Sequence, residues 1–131
     1  MSDRVAIILA HGDLAAGLVS AIQQITGRGD RFVALSNAGL GAAEIEQRLR
    51  ELVDRTGAQV IFTDLPAGSC NFAAARLLRE RDDILVVSGA NLPTLLYYAM
   101  HDELPPAEGA ARAVDHGAPA LRVIAGVHRA R

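Results

Sequence analysis

The chain has 131 residues, 50% of them hydrophobic, enough for one domain over 1–131 with a core that needs no staples. Its formal net charge of −2 speaks against an electrostatic nucleic-acid binder, and because all 13 basic residues are arginine, P-loop, Schiff-base and pyridoxal-phosphate lysines are excluded together. The single cysteine, Cys70, rules out a disulfide framework, and short apolar runs without a leader set the expectation of a cytoplasmic chain with no direct membrane insertion.

The first apolar run, Val5–Leu9, is nearly continuous in aliphatics, the pattern of a strand covered on both faces. Leu14, Leu18, Ile22 and Ile25 then recur at steps of three or four and predict a helix with that stripe inward. Phe32–Leu35 reads as the second strand. In the next helix Ile45, Leu49, Leu52 and Val53 make the inward stripe, while Glu44/Arg48, Glu46/Arg50 and Glu51/Arg55 stand four apart on a solvated face. Val60–Thr63 is the third strand, a third helix is predicted over 71–81, and Ile84–Val87 is the fourth strand. A fourth helix starts near Pro93, with Tyr97 and Tyr98 read as packing. A fifth runs from Pro106 to His116 and stops at Gly117-Ala118-Pro119. Leu121–Val127 is the candidate for a last strand, and the end His128–Arg131 is expected to fray. Strand–helix alternation at this spacing means right-handed βαβ units. The fold class is therefore α/β, an open, mainly parallel four-stranded sheet with helices on both faces and a candidate fifth strand.

In such a sheet ligands bind beyond the carboxyl ends of the strands, which directs attention to four polar, glycine-bearing loops. His11 leaves the first strand at the entrance to the first helix, where an imidazole serves as nucleophile, base or metal ligand, or else merely satisfies a loop carbonyl. Asp64 leaves the third strand. If strands one and three are neighbours, with their helices on opposite faces, the two residues face one crevice. The carboxylate would then fix the tautomer by accepting from Nδ1–H and leave Nε2 free. Taken alone, Asp64 is equally well an N-cap or an Asx turn. Gly68 and Ser69 precede the third helix, so their N–H groups and the Ser69 hydroxyl would hold phosphoryl oxygens, or Ser69 is simply the N-cap. Asn91, before Pro93, either contacts the crevice or holds its own turn. No His, Cys, Asp or Glu set has metal-ligand spacing along the chain. His101, His116 and His128 read as surface or helix-end residues, and Cys70 reads as a small buried side chain near the site.

Taken together, Ala10-His11-Gly12, Ile61–Ser69 and Gly89-Ala90-Asn91-Leu92-Pro93 resemble, in order and spacing over essentially the whole chain, the mannose-type enzyme IIA family of the phosphoenolpyruvate-dependent sugar phosphotransferase system. The resemblance implies strand order 2-1-3-4. It also implies a phosphoryl relay in which His11 accepts the group from the phosphocarrier protein HPr and passes it to a separate IIB subunit. Asp64 would orient His11, and Gly68 and Ser69 would bind the phosphoryl group. It implies no cofactor and no metal, and a homodimer in which the C-terminal strand takes part. The family commonly has Gly-Gly-Ser-Pro where this chain has Ala67-Gly68-Ser69-Cys70. Other readings are a phosphoryl donor to a dihydroxyacetone kinase, a regulatory protein phosphorylated at His11 that acts by binding other proteins, and a non-catalytic ligand-binding domain.

Overall fold

Residues 5–127 are described by a computed structural model. Four strands, β1 (Ala6–Ala10), β2 (Phe32–Ser36), β3 (Val60–Thr63) and β4 (Leu85–Val87), form a parallel sheet in the order β2-β1-β3-β4. The register sets Ile7, Ile8 and Leu9 of β1 beside Val33, Ala34 and Leu35 on one side and Ile61, Phe62 and Thr63 on the other. Lying inside the sheet with helices above and below, β1 is buried at all five positions. That is why its sequence is an unbroken aliphatic run rather than an alternation.

Helices α2 (Ala42–Thr56) and α3 (Ser69–Leu78) cover one face. Ile45, Leu49, Leu52 and Val53 of α2, with Ala73, Ala74 and Leu77 of α3, pack on Ile7, Leu9 and Ile61. Helices α1 (Leu14–Thr26), α4 (Leu92–Met100) and α5 (Pro106–Gly117) cover the other, where Ile22, Leu95, Tyr98 and Ala113 meet Ile8, Phe32 and Phe62. The helices after β1 and β3 therefore lie on opposite faces, the condition that brings positions 11 and 64 to one crevice. Tyr98 is the packing residue expected, its ring 5.2 Å from Phe62 and 6.1 Å from Phe32. Arg31 is buried beside it and donates to the Tyr98 and Ala99 carbonyls at the end of α4, a cation on the negative end of a helix. His101 and His116 stand at the ends of α4 and α5, and Tyr97 stacks on His101. No helix among the described residues is long and apolar enough to cross a membrane.

The sequence expectations need adjusting in three places. The inward stripe of α1 is Ala15, Leu18, Val19 and Ile22, while Leu14 and Ile25 are 46% and 60% exposed. An alanine contact face is too small to stand out in a periodicity of large aliphatics. Helix α3 begins at Ser69, before Asn71, and ends at Leu78, after which turn bonds to Leu77 carry the chain to Arg81. Leu121–Val127 forms no strand: after a 3₁₀ turn at Ala118–Ala120 it runs free of the sheet with its aliphatic side chains in solvent. His128–Arg131 lie outside the described residues.

Candidate active site

The sharp turn from β1 into α1 puts His11 at the carboxyl edge of the sheet. Gly12 takes φ +58°, a left-handed backbone suited to glycine, and the Leu14 N–H donates to the His11 carbonyl. The end of β2 and the loop after it brace this turn. The Ser36 hydroxyl donates to the Gly12 carbonyl at 2.6 Å, and the Gly12 N–H donates to Asn37 Oδ1 at 3.0 Å. Sequence reasoning noticed that loop only as polar. Its bracing role depends on β2 being the neighbour of β1, which no local pattern states.

Asp64 follows β3 and meets His11 twice through one oxygen. Oδ2 accepts from the His11 backbone N–H at 3.0 Å and lies 3.0 Å from Nδ1. The Asp64 side chain is only 9% exposed against 41% for His11. Burial pushes the Asp64 carboxyl up, but the backbone and ring bonds from His11 outweigh it and hold the group below its usual range. An ionised carboxylate has no proton to give, so Nδ1 is the donor. The neutral ring then carries its lone pair at Nε2.

Gly68 runs beside that edge of the ring. A Cβ placed on it would sit 3.7 Å from His11 Cε1 and 3.9 Å from Nε2. Gly68 has φ +97°, and no other residue type among those described has positive φ, so Ala67 replaces a glycine at no backbone strain. Gly68 is also the N-cap of α3, and Ser69 is its first residue. The first-turn N–H groups of a helix have no intrahelical partners and attract anions. The exposed ring of His11 thus stands beside Gly68, the N-cap of α3.

Asn91 belongs to another task. Its Oδ1 accepts from the Thr94 N–H and hydroxyl, and its Nδ2 donates to the Gly117 carbonyl, so it caps α4 and ties in α5. Asn91 does hold its own turn, one of the two readings offered by sequence. Cys70, by contrast, is closer to the chemistry than sequence suggested. It is fully buried with Sγ 3.8 Å from His11 Nδ1, and burial followed by the Asp64 charge pushes its thiol up. One ligating atom each from His11, Asp64 and Cys70 lie within 4.8 Å of one another. Spacing along the chain hides this set, because 11, 64 and 70 converge only through the β1–β3 pairing.

An open parallel sheet with an oriented histidine at its carboxyl edge, beside the N-terminus of α3, defines an α/β protein of the doubly wound class. Comparison with known proteins narrows that class. The family model EIIA-man, described as "PTS system fructose IIA component", matches residues 5–115. A sorbose-specific EIIA component of Klebsiella pneumoniae is 34% identical over 93 residues, covering 70% of this chain and 69% of that one. The crystal structure of phosphotransferase system component EIIA from Streptococcus agalactiae superposes with a TM-score of 0.82 at 22% identity, over 91% of this chain and 95% of that one. A sigma-54 interaction domain protein from Enterococcus faecalis shares the fold at a TM-score of 0.67 and 15% identity, over 91% and 93% of the two chains. The chain belongs to the EIIA-man family of the sugar phosphotransferase system.

Proposed function

We propose that this protein, acting in the cytoplasm as one domain over 1–131 and as a homodimer, relays a phosphoryl group from HPr through His11 to a separate IIB subunit. The observation that carries the reading is the double hold of Asp64 Oδ2 on His11, which leaves Nε2 as the free nitrogen beside Gly68. Nε2 attacks the phosphorus of the donor phosphohistidine in line. The new N–P bond forms as the donor's N–P bond breaks, and the donor imidazole leaves. His11 keeps its Nδ1 proton and gains positive charge, which the Asp64 carboxylate 3.0 Å away stabilises. The first-turn N–H groups of α3 and the Ser69 hydroxyl receive the phosphoryl oxygens, a pre-set donor array that reorganises little during transfer. Onward transfer to IIB is the same displacement in reverse.

The test is intact mass at alkaline pH after incubation with phosphoenolpyruvate, enzyme I and HPr, beside a His11→Ala control. A gain of one acid-labile phosphoryl group, absent from the control, is expected. No gain with both donor proteins active overturns the relay. The regulatory reading has one observation in its favour, the shared fold of the sigma-54 interaction domain protein. It predicts that phosphoryl-His11 stays put when IIB is added, whereas the relay predicts its discharge.

A further inference from the structure

Three features of the site do not enter the relay chemistry. The first is Cys70, a residue this chain has where the resembling family commonly has proline. Its buried Sγ lies 3.8 Å from the same Nδ1 that faces Asp64. The second is the second oxygen of Asp64. Oδ1 is buried with no hydrogen-bond partner, on a side chain only 9% exposed. A buried carboxylate oxygen without a donor is costly unless something electropositive reaches it. The third is spacing. Around a tetrahedral ion with bonds of about 2.0–2.3 Å, neighbouring donors stand roughly 3.3–3.6 Å apart. The observed Nδ1–Oδ2 and Sγ–Nδ1 separations of 3.0 and 3.8 Å bracket that edge, and the three donors fall within 4.8 Å of one another.

We propose that His11 Nδ1, Asp64 and Cys70 Sγ form a binding site for a borderline-soft divalent transition metal of the zinc type, and that a loaded site disarms Nε2. Imidazole, thiolate and carboxylate together suit zinc and its neighbours rather than magnesium or calcium, and three protein donors leave the fourth position to solvent. The ion enters past His11, the exposed member of the set. The proton balance is simple. Cys70 releases its thiol proton to solvent as the Sγ–metal bond forms, favoured by the positive charge of the ion. His11 gives up Nδ1–H to bind through Nδ1. A neutral ring keeps one proton, which now sits on Nε2 and occupies the lone pair that attacks phosphorus. Metal and phosphoryl group therefore exclude each other. The exclusion rests on the relay reading, whereas the metal site itself does not.

The whole protein, reduced and stripped with chelator, is titrated with cobalt(II) as the spectroscopic probe and then with zinc(II) in competition. Expected are one ion per chain, a near-ultraviolet thiolate-to-cobalt charge-transfer band, and visible bands of tetrahedral intensity that zinc abolishes. Cys70→Ser keeps the shape of the side chain, and its fold is verified by circular dichroism. It should lose the charge-transfer band and weaken zinc binding on the order of tenfold or more. No band in the parent, or a band that survives in Cys70→Ser, overturns the site. The proton shift is read separately by nitrogen-15 NMR of labelled histidine. Metal-free His11 should carry its proton on Nδ1 and zinc-loaded His11 on Nε2, and a proton still on Nδ1 with zinc bound overturns the disarming. Failure of metal-free protein to take up phosphoryl overturns the relay and with it the exclusion, while the cobalt spectrum decides the site on its own.

Discussion

Asp64 reaches His11 twice with one oxygen, and the two bonds have different consequences. The bond to the backbone N–H fixes where the β1–α1 turn lies, and the bond to Nδ1 fixes which ring nitrogen is free. Asp64→Asn separates geometry from charge. The amide oxygen can still accept from both N–H groups, which keeps the turn and the tautomer. The amide NH₂ then occupies the buried place of Oδ1, where no partner exists, and the imidazolium formed during transfer loses its counter-charge. Time-resolved intact-mass measurements should show phosphoryl uptake slowed by roughly 10–100-fold, the range for altering a partner that supports the working group, with His11 still modified at long times. Uptake at the parent rate would remove Asp64 from the mechanism. His11 and Asp64 were legible in the sequence because each polar residue directly follows an apolar strand run, where an α/β sheet opens its crevice. Cys70 was legible only as a neighbour of the site. That its sulfur meets Nδ1 depends on the α3 backbone turning in at Gly68, and the positive φ responsible leaves no periodic trace.

At the level of the elements, α4 and α5 are in close contact where α5 ends. Asn91 caps α4 and, through Nδ2, grips the Gly117 carbonyl at 2.9 Å. A Cβ at 117 would sit 2.7 Å from the Cα of Thr94, a backbone atom that cannot swing aside. Gly117→Ala should therefore force the two helices apart and cost about 1–3 kcal/mol, as overpacked contacts do, lowering the Tm by several degrees in calorimetry. Gly126→Ala is the matched control, since nothing lies within 4 Å of its added Cβ, and its Tm should stay at the parent value. Equal melting of both variants with the parent would show that the α4–α5 contact yields without cost. The sequence marked Gly117 as a helix stop, which it is, but not as a contact residue, because a stop signal is local and a contact is not. The same limit explains α1, whose small inward Ala15 was passed over for Leu14. It also explains the success at α2, where four large aliphatics at helical spacing are all buried.

At the scale of the molecule, residues 121–127 follow α5 without joining the described sheet. Leu121, Val123, Ile124 and Val127 are 88%, 95%, 81% and 84% exposed. Scattered exposed aliphatics are ordinary, but four within seven residues are a concentration of exposed apolar side chains. The strand expected there from sequence does not form, and the segment pairs with no strand among the described residues. The edge strand β4 is three residues long with Leu85 39% exposed, and its outer side pairs with no strand among the described residues. A second copy would meet both needs at once: in a two-fold arrangement each tail would cover the other copy, so the four aliphatics would be buried twice while the rigid-body entropy of association is lost once. The homodimer proposed above should then depend on the tail. Sedimentation velocity at micromolar concentration is expected to give a dimer for the full chain. A chain stopped after Ala120 should give a monomer with the same helix content by circular dichroism, because every α-helix and strand among the described residues lies before that point. A dimer that survives the truncation would place the interface elsewhere, and a full chain that stays monomeric across the concentration range would rule the dimer out.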